Sequence, residues 1–293
     1  MRVFLTGASG GIGSAVVPEL IAAGHDVLAL ARSDASARAV TAAGATAHRG
    51  DLGDPERLRA GADAADGVIH LAFGNDFTDF ERCVAEEALA VEAFGTALKG
   101  TGKALVIAGG TPAVPGRLST EEDPAPTEGP VGGRGRNARA VLDLAAEGVR
   151  SGVVRLPRSV HARGERYGFA SMLIEAARRT GVSGYVGDGE QRWPAVHRLD
   201  AAPLFRLVLE GGAPGTVAHA VADEGDRMRD IAEVIGRRLG LPTEPVEPES
   251  FGFLGHVFAY DQPSSSAITR EKFGWRPTHP SLLEDLEAGG YPA

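Results

Sequence analysis

The sequence predicts an α/β fold, a doubly wound parallel sheet with a smaller C-terminal lobe, and two observations carry that prediction. Short apolar runs with β-branched residues, RVFLT (2–6), DVLAL (26–30), ATAHR (45–49), GVIHLA (67–72), KALVIA (103–108) and GVVRL (152–156), alternate with amphipathic stretches. Repeated strand–helix units of this kind imply a parallel sheet covered by helices on both faces. After about residue 157 the alternation loosens, which marks where the second lobe begins.

In the first unit Ile12, Val16 and Leu20 recur at helical spacing, with Val17 and Ile21 beside them. Pro18 lies inside that helix, removes a backbone donor and should kink it. Further on, helical stretches at 169–179, 200–210, 227–239 and 281–287 are separated by strand-like 183–187, 194–199 and 216–221, and LPTEPVEPES (241–250) reads as a surface connection. The expected division is a dinucleotide-binding core over 1–160, to which 200–222 returns, and a lobe made of 161–199 and 223–293. Such a lobe would lie across the ends of the parallel strands, where ligands bind in open α/β sheets.

Composition excludes several function classes. The 293 residues carry a formal charge of −9, and the 30 basic residues, nearly all Arg, are scattered and outnumbered by carboxylates, so nucleic acid is not an expected partner. A single cysteine, Cys83, excludes an internal disulfide. Eight histidines without H-E-x-x-H or similar spacing point to no catalytic metal. The opening MRVFLTGASG lacks a signal peptide's apolar run, and no later run approaches the roughly 20 residues that span a bilayer. A cytoplasmic protein without a membrane partner is expected.

LTGASGGIG places Gly7, Gly10 and Gly13 directly after the first strand, with Ser9, Gly11 and Ile12 between them. Glycine permits the tight turn and lets backbone approach a pyrophosphate, while the helix N-terminus turns its unpaired N–H groups to the anion. That is the dinucleotide turn of a Rossmann-type fold. Gly7, Ser9 and Gly11 also spell the G-x-S-x-G elbow of serine hydrolases, but that elbow follows several sheet strands, so Ser9 reads as a turn residue touching phosphates. At the end of the second strand a carboxylate would select NAD(H); LALARSD instead offers Arg32 and Ser33, suited to the 2′-phosphate of NADP(H). Asp34 lies close by, and a solvated Arg32 is the bland alternative.

TGASGGIG, GDLGDP after the third strand, HLAF after the fourth, RLPRSVHARG after the sixth, AVHRLDAA (195–202) and FGWRP (273–277) together resemble the short-chain dehydrogenase/reductase superfamily. The layout is similar to the extended type, which includes NAD(P)-dependent epimerases, dehydratases and reductases, and the likeness covers nearly the whole chain. By that resemblance Asp51 and Leu52 border the adenine, Ala72 and Phe73 pass beside the ribose, and Pro157, Ser159 and Val160 lie against the nicotinamide. Leu52 and Val160 also read as ordinary core. The family tendency to pair through the helices after the fourth and fifth strands implies a homodimer.

The superfamily's usual acid is a Tyr with a Lys four residues later on the helix after the fifth strand, and this chain departs from it. Tyrosine occurs only at 167, 185, 260 and 291, never followed by Lys at that spacing. The corresponding window is GPVGGRGRNARAV (129–141), with Gly132 and Arg136 at the two places, give or take two residues. Arg136 would keep the charge and the ribose contact of the Lys, but an arginine cannot donate the proton. Where the upstream serine is expected stand Gly109 and Gly110, leaving Thr111 nearest, and Glu87 is the carboxylate nearest the usual Asn. Replacement acids are Tyr185 and His197, with His161 and Trp193 as substrate contacts; their bland readings are strand packing for Tyr185 and core for Trp193, while Asp200 reads as a helix cap. The leading expectation is an NADP(H)-dependent oxidoreductase that moves hydride to a carbonyl or related unsaturated group of a small apolar substrate with a non-standard proton donor. A non-catalytic NADP(H)-sensing protein and a cofactor-retaining epimerase or dehydratase are the alternatives.

Overall fold

The computed structural model describes residues 1–74, 79–129, 132–164 and 168–291. Tyr167, Pro130 and Val131, named in the sequence reading, lie outside the described residues. In chain order the first half runs β1 (Arg2–Thr6), α1 (Gly13–Ala22), β2 (Asp26–Ala31), α2 (Asp34–Ala42), β3 (Thr46–Arg49), α3 (Pro55–Asp63), β4 (Gly67–His70), α4 (Phe80–Leu98), β5 (Ala104–Gly110), α5 (Gly132–Asp143) and β6 (Arg150–Leu156). There follow β7 (Ser159–His161), α6 (Gly168–Thr180), β8 (Ser183–Val186), β9 (Arg192–His197), α7 (Arg198–Gly211), β10 (Thr216–His219), β11 (Asp223–Arg227), α8 (Met228–Leu239), β12 (Thr243–Val246), α9 (Gly255–Phe258), α10 (Ala267–Phe273) and α11 (Leu282–Ala288).

Seven strands form one parallel sheet in the order β10-β6-β5-β4-β1-β2-β3. This is the doubly wound order, with the chain reversing direction between β1 and β4, extended by β10. Strand alternation explains the two layers: Val3 and Leu5 point into a core with Val16, Val17, Leu20, Phe205 and Val208, whereas Phe4 points into the opposite one with Leu58, Phe94 and Val141. Val16, Val17 and Leu20 of the first helix are thus buried as their spacing predicts and Ile12 packs from the cap position, whereas Ile21 stays exposed, and α1 continues through Pro18. A separate core, with Leu173, Trp193, Ile231, Phe258 and Leu282, joins a three-stranded sheet β11-β9-β7 and a two-stranded pair β12-β8 to their helices.

Two local readings change. The segment 241–250 contains β12, which pairs in parallel with β8; Pro245 is tolerated because an edge strand has one side free of ladder partners. Asp200 does not cap α7, since His197 does, its Nδ1 accepting from Leu199 N at 3.3 Å. Asp200 instead lies buried in the first turn and accepts from Thr278 N, His279 N and His279 Nδ1 at 3.0, 3.0 and 2.7 Å, while its carbonyl accepts from Trp275 Nε1 at 2.8 Å. One carboxylate therefore fastens the segment leading to α11 onto the α7 that covers the large sheet.

Asp200→Ala strips the acceptor from two backbone N–H groups and His279 at once, which should cost about 2–4 kcal/mol. A matching drop in urea-unfolding free energy is expected; a loss under about 0.5 kcal/mol would remove Asp200 from this role.

Candidate functional site

The C-terminal ends of the parallel strands gather most of the residues singled out by sequence. After β1 the chain turns at Gly7, whose φ of 73° is the left-handed conformation that favours glycine. Gly10 N donates to Gly7 O at 2.9 Å, and a Cβ on Gly13 would stand 2.0 Å from that same oxygen, so no other residue fits there. A Cβ on Gly7 would meet Ala72 N at 2.7 Å, which seats the strand-end run 71–74 directly against the turn. Thr6 reinforces the seam, its hydroxyl accepting from Ala72 N at 3.2 Å and bonding His70 Nδ1 at 2.7 Å.

α1 begins beyond this turn with Ile12 at its cap position, no side-chain cap and no acidic residue in its first turn. No side chain competes for the positive end of the helix, although Ser14 N and Ala15 N already donate to Gly10 O and Ile12 O, each at 2.9 Å, and Ser9 and Gly10 beside it are exposed. Arg32 and Ser33 follow β2 on the surface. Ser33 caps α2, accepting from Ser36 N at 3.1 Å, so its hydroxyl is partly committed. Asp34 is drawn to Arg49 at 2.5 Å, while Arg32 has no ion pair among the described residues. Asp51 is exposed after β3 and accepts from Gly53 N at 2.8 Å, with Leu52 half-buried beside it. A helix end without a side-chain cap and glycines cleared of side chains fit the pyrophosphate of a dinucleotide.

The window of the missing acid is filled by a residue the sequence reading passed over. Arg136 turns away and donates from Nη1 to Thr127 O at 2.6 Å, so it does not take the lysine's place as expected. Arg134, two residues earlier, turns in: Nη2 donates to Glu87 Oε1 at 2.8 Å and to Ala108 O at 3.0 Å, and the guanidinium lies 4.1 Å from the centre of the Phe73 ring. Asn137 Nδ2 adds a bond to the same carboxylate at 3.0 Å, which leaves buried Glu87 fully engaged. Arg134 falls within two residues of the position expected from sequence, and only the helix phase, not the spacing, distinguishes it from Arg136. His70 lies beneath, its imidazole pushed down to about 4 by burial, with Glu87 opposing and Arg134 assisting.

Thr111 is buried just past β5, bonded through its N–H to Leu156 O at 3.0 Å. Gln262 Nε2 donates to Thr111 O, and Gln262 Oε1 accepts from Arg158 Nη2. Arg158 sits between Pro157 and Ser159, after β6, while Val160 packs half-buried against the large-sheet core. The other expected residues are set deeper. Trp193 is fully buried against Phe169 and Phe258, with the Arg158 guanidinium 5.6 Å from its ring centre. Tyr185 lies on β8 under the Arg229 guanidinium, apart from Thr111 and Arg134 in every contact it makes among the described residues. His161 Nδ1 donates to Asp285 Oδ2 at 3.0 Å, and His197 stacks on His279 at 4.7 Å, both buried in a network that binds α11 and α7. The next residue, Arg198, donates to Gly11 O at 3.3 Å and Ser14 Oγ at 3.1 Å, tying that network to the phosphate-side turn.

The model of the NAD dependent epimerase/dehydratase family matches residues 3–221, and the chain belongs to that family. It is 42% identical over 297 residues to an uncharacterized protein of Schizosaccharomyces pombe, covering 99% of this chain and 100% of the relative. An uncharacterized protein of Saccharomyces cerevisiae is 44% identical, with 98% of each chain covered. Among solved structures, the dTDP-glucose 4,6-dehydratase DesIV of Streptomyces venezuelae, with NAD and TYD bound, superposes with a TM-score of 0.80 at 18% identity, over 98% of this chain and 95% of that one. Its fold is therefore shared, and with it the Rossmann-type sheet. No helix among the described residues is long and apolar enough to cross a membrane.

His70 sets a pH dependence. Unfolded, its imidazole takes a proton near 6.5, whereas folded it does so only near 4, so its contribution to stability is complete above about pH 6.5 and is lost as pH falls towards 4. His219, lowered likewise by burial, acts in the same direction. Urea-unfolding free energy should decline between pH 6.5 and 4, and His70→Gln should flatten that slope; an unchanged slope in the variant would show that His70 does not carry it.

Proposed function

We propose that this chain is an NADP(H)-dependent oxidoreductase that exchanges hydride with a carbonyl or related unsaturated group, without the superfamily's Tyr and Lys. The observation that carries the reading is the phosphate turn, complete from Gly7 to Gly13 and served by an uncapped helix, beside an Arg32 left unpaired while Asp34 is held by Arg49. When bound, the dinucleotide supplies or accepts the hydride. Gly7 to Gly13 hold its pyrophosphate, Arg32 and Ser33 its 2′-phosphate, and Asp51, Leu52, Ala72 and Phe73 flank its adenosine half. Pro157, Ser159 and Val160 form the opposite wall.

Arg134 then takes a different part from the missing acid. A guanidinium cannot give up a proton near neutrality, but fixed by Glu87 and Ala108 O it presents a preorganised positive charge. Its task is to stabilise the oxygen that gains charge as hydride arrives, with the proton drawn from water. Thr111, held by Gln262, positions the same oxygen. The non-catalytic sensing role is the second reading, favoured by the same Glu87–Arg134 pair, because it fills the place of the proton donor with groups already satisfied by each other. The epimerase and dehydratase activities of the family differ from the first reading in consuming no cofactor overall.

Titration with both cofactors should show NADPH binding at least about tenfold more tightly than NADH, and Arg32→Glu should erase that preference while leaving NADH affinity unchanged. Equal affinities in the unaltered protein would overturn the NADP preference. With a panel of ketones, aldehydes and enones, NADPH consumption should fall about 10²–10³-fold in Arg134→Gln without loss of NADPH binding. Binding with no consumption on any member would favour the sensing role.

A further inference from the structure

Arg158 is a cation without a counter-ion among the described residues. Its guanidinium lies 5.6 Å from the Trp193 ring centre and 5.8 Å from that of Phe169, and burial lowers it to about 10, with the Tyr260 phenol opposing. Among the described residues no carboxylate pairs with it: Nη2 is bonded to the neutral Gln262 side chain, and Nε is buried with no hydrogen-bond partner. Arg134 offers the contrast, since it has Glu87. Desolvating a guanidinium is costly, and aromatic faces return only part of that cost. The surroundings share the deficit. Ser159 Oγ and Trp193 Nε1 are likewise buried without partners, and the register of Ser159 with Ala195 puts both side chains on one face of the β7–β9 sheet. Through Gln262 the guanidinium is connected to Thr111, at the strand end where the reacting group is placed.

We propose that Arg158 is the recognition point for an anionic oxygen group, a carboxylate or a phosphate, carried by the substrate. The planar fork of Arg158, with Nε unused, matches two oxygens of such a group, and the bond to Gln262 fixes its orientation towards Thr111. This replaces the expectation of a small apolar substrate, because an apolar molecule would seal the uncompensated charge from water and pay for its desolvation. The inference rests on the oxidoreductase reading for the position of the reacting group, while its binding step is measured separately.

The test uses the NADP⁺-loaded protein and two matched pairs of probes, pyruvate against methyl pyruvate and dihydroxyacetone phosphate against dihydroxyacetone, followed by tryptophan fluorescence, Trp193 being next to Arg158. At least one anion should bind about tenfold or more tightly than its neutral partner, and which one does so separates carboxylate from phosphate recognition. Arg158→Gln should lose about 30-fold or more of that anion's affinity, and Arg158→Lys, which keeps the charge without the fork, should retain part of it. NADP⁺ affinity should stay unchanged in both, which reports an intact fold. The proposal is overturned if neither anion outbinds its neutral partner, or if the preference survives in Arg158→Gln; should the glutamine variant not fold, the unaltered protein and the lysine variant decide. NADPH binding without hydride exchange would count against the oxidoreductase reading and leave this titration readable.

Discussion

The space between Gly7 and Gly13 governs the strand-end face of the molecule. With a Cβ on Gly13 only 2.0 Å from Gly7 O, the turn exists only if that position is bare. Its tightness brings α1 back over β1, so the helix starts with its amide groups facing the sheet edge, and it lets the strand-end run at Ala72 lie against Gly7. Arg198 then bonds Gly11 O and Ser14, which attaches α7 and the histidine network to the same turn. A side chain at either glycine would separate β1 from α1 and with it the seat of the dinucleotide from the elements around it.

Much of this was legible because two periodicities coincide with two kinds of burial. Apart from the edge strand β3, whose Thr46–Arg49 is largely polar and at most half-buried, the first six strands are apolar runs buried on both faces, and the helices between them bury one stripe, so both announce themselves in the sequence. What sequence could not decide were questions of direction. Arg134 and Arg136 are two residues apart on one helix, about 200° around its axis, so one faces Glu87 and the other Thr127. Trp193 and Tyr185 looked like site aromatics because both stand in a polar-aromatic stretch, yet β9 buries the first completely and β8 carries the second elsewhere. Asp200 has the sequence position of a cap, and only the return of residues 275–279 shows what it holds. Such contacts join residues far apart in the chain, and no local pattern encodes them.

Arginine at the strand ends changes what kind of site this is. In a chain with a formal charge of −9, Arg134 bonds Ala108 O on β5, Arg158 is linked through Gln262 to Thr111 past β5, and Arg198 bonds the turn after β1, so each meets a different partner. Arg198 is given to the backbone of the turn, so it positions rather than reacts. Arg134 is neutralised by Glu87 but keeps a directed field, the property needed where charge develops and then disappears. Among the described residues Arg158 meets a neutral amide and two rings but no carboxylate, the arrangement from which an anionic partner on the ligand is proposed. Tyrosine and lysine would exchange a proton within the protein; on the proposed reading, guanidiniums would hold charge in place and leave the proton to water. On that reading the substitution would move the selective burden from acid strength, which depends on pH, to geometry, which depends on where the substrate's own charges and oxygens lie.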